Sequence, residues 1–414
     1  MSMNIRCSWR DRSLQLSVAL ASIVGLCLAA SAGAADASQS AAGAQLAATG
    51  GPAIAAAPAQ WRIVAHSSSA LTAVIAPDGR SAWALGIRAV GPPSSSTPFR
   101  PAGVHWNGHV WSAATFPKSV ASGIGCAGSS SPGNVWAFAG GTEFGDNSTY
   151  AGALHLVGGK WTVSAKFTRP GLVSGCSVLG PRSAWVYGLT HVAPGVGTWR
   201  LSGRTWKPVL HTGNFALLTA STVSANDVWA IAAGPALLDN VVAHWNGHTW
   251  NRNKALGAVL PPPSASVIPE VTAINAVRAG DVWISAAIRK QTSGGTTTTV
   301  LTLHLSGGKW HKVPRTSPGY YLPAAVSDGH GGWWAPGPPV PLPPAGPAVT
   351  GPYLLHETGG RWRHVPLPMV TGAVLQVTGI VHVPGSNAML AIAQELGGPP
   401  RLRSVVLAYG RLPT

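Results

Sequence analysis

Histidine is the residue type whose pattern first suggests chemistry. Five of the fourteen histidines stand six residues before a tryptophan; they are His105, His155, His244, His304 and His356. Arg200 holds the same position before Trp206. Residues that recur once per repeat are spread over the molecule and cannot converge on one ion, and no Cys-x-x-Cys spacing suggests zinc. We therefore expect each histidine to make a hydrogen bond within its own repeat, and we expect no metal and no cofactor.

Carboxylates are a second source of chemistry, and the chain has only twelve. Four occupy a repeated turn in which Asp side chains commonly bond backbone N–H groups; they are Asp78, Asp227, Asp281 and Asp328. Four others fall in loops predicted to share one face: Glu143, Asp146, Asp239 and Glu270. A glycoside hydrolase needs two carboxylates about 5–10 Å apart, and the sequence defines no such pair. A carbohydrate-active enzyme, hydrolase or lyase, with an acidic site on the Glu143 face is therefore the alternative interpretation.

Basic residues show a clearer order. One stands one or two positions before the tryptophan in four repeats, and a fifth follows the last hairpin turn; the set is Lys160, Arg204, Lys309, Arg361 and Arg411. Solvated turns commonly carry Lys or Arg, which is one interpretation. The other is a cationic rim for an anionic envelope polymer, with ion pairs that weaken in salt. We call these five residues the rim cations.

The elements that must position these residues follow from a repeat. Strand-entry residues fall at Trp83, Trp136, Trp185, Trp229, Trp283, Trp334 and Met389, in steps of 44 to 55 residues. A second series, the tryptophan that closes each hairpin, recurs at a similar period near 50 residues; it comprises Trp111, Trp161, Trp206, Trp250, Trp310 and Trp362. A period near ~50 residues with abundant Gly and alternating or apolar short runs is typical of a propeller blade with four strands. We predict an all-β, seven-bladed propeller of antiparallel four-stranded blades, with the repeated tryptophans in its core. In the fifth blade the predicted strands are 271–277, 282–288, 300–305 and 310–313.

Two strands that belong to no complete blade predict how the ring closes. The seventh repeat ends after a third strand at residues 404–409, and residues 60–64 form a strand with no blade before it. Pairing them completes the last blade and removes an exposed edge.

The N-terminal region differs in composition. Residues 1–34 combine Arg6, Arg10 and Arg12 with an apolar run and a small-x-small cleavage pattern, which predicts a secretory signal peptide. Residues 35–58 are rich in Ala, Gly and Ser and predict a flexible leader. The propeller is predicted over residues 59–414. We expect a secreted, extracellular or envelope-associated protein, with no stable membrane span after cleavage and no nucleic-acid partner.

Cys126 and Cys176 are the cysteines left after signal removal. They stand ten and nine residues before Trp136 and Trp185, so they occupy near-equivalent inner-strand positions on adjacent blades. Export permits oxidation. The sequence predicts a disulfide between blades 2 and 3, with two buried thiols as the other interpretation.

The phrase Asp227-Val228-Trp229-Ala230, followed by His244-Trp245-Asn246-Gly247 and Trp250, resembles repeats of secreted bacterial propellers of the kelch and galactose-oxidase-like group. Gly140-Gly141 followed by Trp161 matches the kelch pattern. Sialidase-type turns are matched only in part, by Ser306-Gly307-Gly308-Lys309-Trp310. The resemblance covers about residues 59–414 and implies a fold rather than an activity.

With a net charge of +16, the chain favours acidic partners. We expect a monomeric, non-catalytic exported binding or scaffold protein whose partner is an anionic envelope polymer, a glycan or another exported protein.

Overall fold

The computed structural model describes residues 59–91, 99–140, 151–167, 172–189, 198–209, 216–233, 240–336, 351–396 and 403–413. These residues form seven four-stranded antiparallel sheets. Within a blade, successive strands are joined as a meander, and the inner strands of most successive blades contact each other. The prediction of an all-β, seven-bladed propeller is confirmed. Residues 1–58, which comprise the predicted signal peptide and leader, lie outside the described residues. No helix in the described ranges is long and apolar enough to cross a membrane.

The strand bounds follow the repeat. Blade 1 comprises β2 (Ala70–Asp78), β3 (Ser81–Ala89), β4 (Phe99–Trp106) and β5 (Trp111–Ala113). Blade 2 comprises β6 (Ile124–Ser131), β7 (Asn134–Ala139), β8 (Gly152–Val157) and β9 (Lys160–Lys166). Blade 3 comprises β10 (Leu172–Gly180), β11 (Ser183–Leu189), β12 (Trp199–Ser202) and β13 (Thr205–Pro208). Blade 4 comprises β14 (Ala216–Ser224), β15 (Asp227–Ala233), β16 (Asn240–Trp245) and β17 (Trp250–Arg252).

The last three blades are less uniform. Blade 5 comprises β18 (Val267–Arg278), β19 (Asp281–Thr292), β20 (Gly295–Ser306) and β21 (Lys309–Val313). Blade 6 comprises β22 (Val326–Ser327), β23 (Trp333–Pro336), β24 (Tyr353–Thr358) and β25 (Arg361–Pro366). Blade 7 comprises β26 (Val374–His382), β27 (Met389–Leu396), β28 (Ser404–Tyr409) and β1 (Trp61–Ser67). Short 3-10 helices over Lys254–Ala258 and Pro318–Ala324 precede blades 5 and 6.

Ring closure matches the prediction. β1 pairs with β28, with Trp61 opposite Tyr409 and Ser67 opposite Ser404. Trp61 is 3% exposed and meets Trp334 of blade 6 edge-on, with ring centroids 5.3 Å apart. The first strand therefore completes the last sheet and also contributes an aromatic ring to the interface between blades 6 and 7.

The core lies between neighbouring blades and is organised by the repeated tryptophans. The second-strand Trp83 stacks on His105 of its own blade at 3.8 Å and meets the outer-strand Trp161 of the next blade edge-on at 5.3 Å. Trp136 repeats this arrangement with His155 and Trp206. Because each tryptophan bridges two sheets, its large apolar area stabilises an interface rather than a single blade.

Hydroxyl groups fasten the inner strands around the axis. Most inner strands carry a β-bulge at an equivalent position. At three of these bulges a hydroxyl donates to the next blade: Thr72 to the Ile124 carbonyl at 2.5 Å, Ser174 to Leu217 at 3.2 Å, and Thr378 to Leu71 at 3.4 Å. Since these bonds satisfy buried carbonyl groups, they stabilise both the bulges and the contact between blades.

Blades 2 and 3 are joined differently. The bulge residue of blade 2 is Gly125, where a Cβ atom would lie 2.6 Å from the Val173 carbonyl oxygen, so no hydroxyl side chain fits there. One residue later, Cys126 forms a disulfide with Cys176, with Cα atoms 5.9 Å apart. A covalent bond thus joins the two blades at the place where the hydrogen bond is sterically excluded.

The disulfide gives a test in solution. The protein, alkylated without reductant, is expected to keep Cys126 and Cys176 unmodified in mass spectrometry, whereas alkylation after reduction should label both. In the entropic model, closing the loop between positions 50 apart contributes on the order of 4 kcal/mol, so a C126S/C176S variant should melt at a lower temperature. Two alkylated cysteines in the unreduced protein would contradict the bridge.

One strand prediction was too short. In blade 5 the second strand was predicted to end at residue 288 and the third to begin at residue 300, but β19 runs to Thr292 and β20 begins at Gly295. The intervening residues 296–299 are all threonine. β-Branched residues favour extended backbone, and Ser293-Gly294 suits a two-residue hairpin turn, so this segment continues the hairpin instead of forming a loop.

Candidate functional site

The meander gives the propeller two unlike faces. The turn face carries the short turns from first to second strand and from third to fourth strand. The loop face carries the connections from second to third strand and from blade to blade. All gaps between the described ranges fall in loop-face connections. The turn face is therefore described for every blade, and its side chains define the candidate site.

All five rim cations lie on the turn face, each on a different blade, as their position in the hairpins predicted. Each of the five is solvent-exposed. Three further exposed cations lie in the first-to-second-strand turns: Arg80, Arg182 and Arg278. Sequence reasoning missed these three, although the turn before the second strand had already been recognised from its aspartates. Eight exposed cations thus share one face.

The carboxylates of this face are directed inward. His244 Nε2 lies 2.9 Å from Asp227 Oδ1, and His304 Nε2 lies 2.8 Å from Asp281 Oδ1. Asp328 meets His356 at 3.3 Å, and His105 contacts Ser81 at 3.2 Å. The predicted hydrogen bond of the repeated histidine is confirmed in these four blades. In blade 2, His155 Nε2 is buried and has no hydrogen-bond partner among the described residues.

These bonds set the charge state of the aspartates. Burial alone would raise the pKa of Asp281, but the hydrogen bonds from His304 and Trp283 outweigh it and lower the pKa. Asp328 behaves in the same way, because the backbone N–H of His330 and the His356 ring outweigh its burial and lower its pKa. Both carboxylates are therefore ionised at neutral pH, but their negative charge is directed at groups of their own blades.

Most of the positive charge on this face remains without a counter-charge. Asp78 accepts a bond from the backbone N–H of Arg80 at 2.7 Å, and Glu357 accepts one from Gly360. Within the described ranges, Arg278 is the one of the eight cations that reaches a carboxylate at ion-pair distance, through Asp281 at 3.1 Å. The turn face thus presents cations outward and carboxylates inward.

A shallow groove opens at the ring-closure seam. It has a volume of about 690 Å³ and is lined by residues that include Trp61, Arg62, Pro368 and Arg411. The Arg62 guanidinium donates to the Gly410 carbonyl, which fixes it beside Arg411. The groove places two guanidinium groups next to a concave surface. Arg411 is one of the rim cations, so the groove adjoins that set.

Of the four acidic residues predicted for the loop face, one lies in the described ranges. Glu143, Asp146 and Asp239 lie outside the described residues. Glu270 is buried, and its Oε2 lies 2.6 Å from the guanidinium of Arg289. Burial raises the pKa of Glu270, and the charge of Arg289 opposes this rise. The structure therefore shows one paired carboxyl group, and an acidic catalytic site on this face stays a prediction. In the described part of the chain, no three His, Cys, Asp or Glu side chains cluster as metal ligands.

Comparisons with known proteins identify the fold alone. No protein-family model matches the chain, and no curated protein matches its sequence. Among solved structures, one described as "YCF48 bound to D1 peptide" has a TM-score of 0.51 at 13% identity, covering 87% of this chain and 99% of the other. The crystal structure of polysaccharide lyase Uly1 has a TM-score of 0.50 at 10% identity, covering 83% and 90%. YCF48 from Cyanidioschyzon merolae gives 0.49 at 14% identity, covering 84% and 98%.

The two neighbours with the higher TM-scores separate fold from function. One neighbour is described with a bound peptide and the other as a lyase, so the shared propeller does not select an activity. Membership of the kelch and galactose-oxidase-like group stays a prediction from the repeat phrase.

Proposed function

We propose that this chain is an exported, non-catalytic binding protein whose turn face binds an anionic polymer of the cell envelope. The observation that carries the proposal is the opposite orientation of charges on that face. Eight cations are exposed, while the neighbouring carboxylates bond to groups of their own blades. An anion that approaches this face therefore meets positive charge from several blades at once.

The arrangement favours a polymer over a small anion. A single exposed ion pair contributes about 0–1 kcal/mol, so one rim cation binds an isolated phosphate or carboxylate weakly. The rim cations lie on separate blades, and a chain with repeated negative charges contacts several of them together. Linking such weak contacts in one ligand raises the overall affinity without requiring any strong site.

The seam groove supports a glycan as the backbone of that polymer. It places Arg62 and Arg411 beside the half-buried Ile63 and Pro368. An acidic sugar unit in this groove would rest against apolar atoms while its charge faces guanidinium groups. One structural neighbour is described with a bound peptide. This supports a second kind of partner for the present chain, namely another exported protein.

Retention on an immobilised polyanion tests the proposal. Changing Lys160, Arg204, Lys309 and Arg361 together to Gln should lower the salt concentration at which the protein elutes, because exposed ion pairs are screened over about 8–10 Å at moderate ionic strength. The free energy of unfolding should be unchanged within about 0.5 kcal/mol, since these side chains are at the surface.

A matched variant removes the same charge from the opposite face. Arg88, Lys118, Lys254 and Arg403 are exposed and lie at loop-face ends of strands or connections. Their joint change to Gln should leave elution closer to that of the unmodified protein. Equal losses in the two variants would show that retention follows net charge alone, and unchanged retention of the rim variant at low salt would overturn the proposal.

A further inference from the structure

Blade 5 projects further on the loop face than the described strands of blade 4. β19 continues to Thr292, nine residues after Trp283, whereas β15 ends at Ala233, four residues after Trp229. β18 and β20 extend with it, so the projection is a three-stranded sheet. Its β19–β20 pairing runs without a register shift from Val282 opposite Leu305 to Thr292 opposite Gly295. The projection is therefore a regular extension of the blade.

A buried ion pair anchors the base of this extension. Glu270 on β18 and Arg289 on β19 lie on adjacent strands, 2.6 Å apart, and the Glu270 side chain is 7% exposed. The Gln291 backbone N–H also donates to the Ser266 carbonyl at 2.9 Å, near the far end. These contacts hold the projecting strands together above the ring.

The outer edge of β20 has no neighbouring strand over its first half. β21 pairs with β20 only from Ser306 back to Thr302. Pro314 follows Val313 directly and has no N–H with which to continue the ladder. Residues 295–301 thus form the edge of the projecting sheet within the described part of the chain.

The register shows which backbone groups face outward. Thr292 and Gly295 close a two-residue hairpin, and in such a hairpin the closing pair is hydrogen-bonded. Odd-numbered residues of β20 therefore bond to β19, and Thr296, Thr298 and Val300 point their N–H and C=O groups away from it. Tyr320 Oη donates to the Val300 carbonyl at 3.3 Å, in agreement with this alternation.

The edge lacks the features that usually prevent strand addition. Exposed edges are commonly protected by Lys, Pro or a bulge. The opposite edge of the same extension, on β18, contains Pro269, but residues 295–301 contain no proline, no charge and no bulge. They are β-branched at five successive positions, 296–300. Such a segment is suited to pairing with another extended chain.

Nearby charges indicate the chemistry of that chain. Lys290 pairs across from Thr297 and is exposed, and Arg315 lies close enough for its charge to oppose the burial-driven rise in the pKa of Tyr320, which contacts Val300. A second copy of this protein would bring the same cations to the shared edge and repel. An acidic segment would be attracted.

We propose that the free edge of β20, residues Thr296–Thr299, binds an extended acidic segment of a partner protein by strand addition. The outward N–H and C=O groups of Thr296 and Thr298 form the ladder, and Lys290 and Arg315 favour acidic side chains on the added strand. This site lies on the loop face and is independent of the rim cations.

Hydrogen exchange on the full exported chain tests the site directly. In the free protein, the amides of Thr296 and Thr298 should exchange fast, whereas those of Thr297 and Thr299 should be protected by β19. A synthetic peptide of alternating glutamate and valine should then protect Thr296 and Thr298, with saturation. The same peptide with N-methylated amides on its pairing edge, or with lysine in place of glutamate, should not.

A proline substitution separates the edge from the fold. Thr298→Pro removes an outward N–H and leaves the bonds to β19 intact, since proline is tolerated on edge strands. It should weaken peptide binding about tenfold or more, which corresponds to one lost hydrogen bond of roughly 1.4 kcal/mol. Thr298→Val keeps the backbone donor and should bind as the unmodified protein does.

Four outcomes would overturn the proposal. Protection of Thr296 and Thr298 in the free monomer would show that another part of this chain covers the edge. A dimer in light scattering that Thr298→Pro dissociates would assign the edge to self-association. Equal binding of the N-methylated peptide, or no saturable protection by the glutamate–valine peptide, would exclude strand addition.

Discussion

Deletion of Gln60 to Val64 is expected to make the propeller aggregate and melt at a lower temperature. β1 supplies the outer strand of blade 7, and its removal leaves the outer edge of β28 unpaired. It also removes Trp61, which is 3% exposed and packs against Trp334 and Tyr409. An unpaired edge is a template for association, and a buried aromatic residue accounts for a large apolar area.

Complementation distinguishes the lost strand from a general loss of stability. A synthetic peptide spanning residues 59–69, added to the deletion variant, should restore the monomer in light scattering and raise the melting temperature, whereas a scrambled peptide should do neither. Deletion of residues 35–58, the predicted leader, serves as the control and should leave both measurements unchanged. A Gln60–Val64 deletion that stays monomeric with unchanged melting would contradict the closure.

The closure could be predicted because it depends on the number of strands in each repeat and on strand propensity. Repeats near 50 residues fix the number of blades, and a last repeat with three strands needs a fourth from elsewhere. Gln60–Val64 was the one strand without a blade. The bulges and hydroxyl bonds of the inner strands were beyond sequence reasoning, because Thr72 and Ser174 look like ordinary strand residues until the neighbouring blade is in place.

Blades 5 and 6 show where repeat reasoning fails. The repeat assigns four similar strands to each blade, but the inner strand of blade 6, β22, has only two residues. A 3-10 helix over Pro318–Ala324 precedes it, and Asn275 of blade 5 donates to the Leu322 carbonyl at 2.9 Å. Pro318 and Pro323 disfavour a continuous ladder, and this local effect outweighs the repeat.

The candidate site was predicted in part for a similar reason. Lys160 and Lys309 could be placed on one face because their spacing from a tryptophan fixes the hairpin turn. Arg80 and Arg182 each stand three residues before a second-strand tryptophan. That spacing was a usable signal for the first-to-second-strand turn, but it was not used and both residues were missed. The inward direction of Asp281 depends on Trp283 and His304 together, so the excess of exposed positive charge becomes evident only when both hydrogen bonds are seen.

Replacement of Trp229 by alanine is expected to lower the free energy of unfolding by about 3–5 kcal/mol, the usual loss for a buried aromatic side chain. Trp229 is 5% exposed and stacks on His244 with ring centroids 4.1 Å apart. It belongs to a core cluster that also contains Ile284 and Trp310 of blade 5. The cavity would therefore open at the interface of two blades, where the surrounding sheets cannot collapse without breaking their ladders.

Chemical denaturation followed by far-UV circular dichroism measures this loss, and two further variants make it specific. Trp229→Phe keeps an aromatic ring against His244 and should lose less than the alanine variant. Val110→Ala removes an apolar side chain from a residue that is 57% exposed, and should change stability by no more than about 0.5 kcal/mol. A loss below about 1 kcal/mol for Trp229→Ala, the range of ordinary surface changes, would contradict burial between blades. It would favour instead a role for the repeated tryptophans as an aromatic surface for sugars.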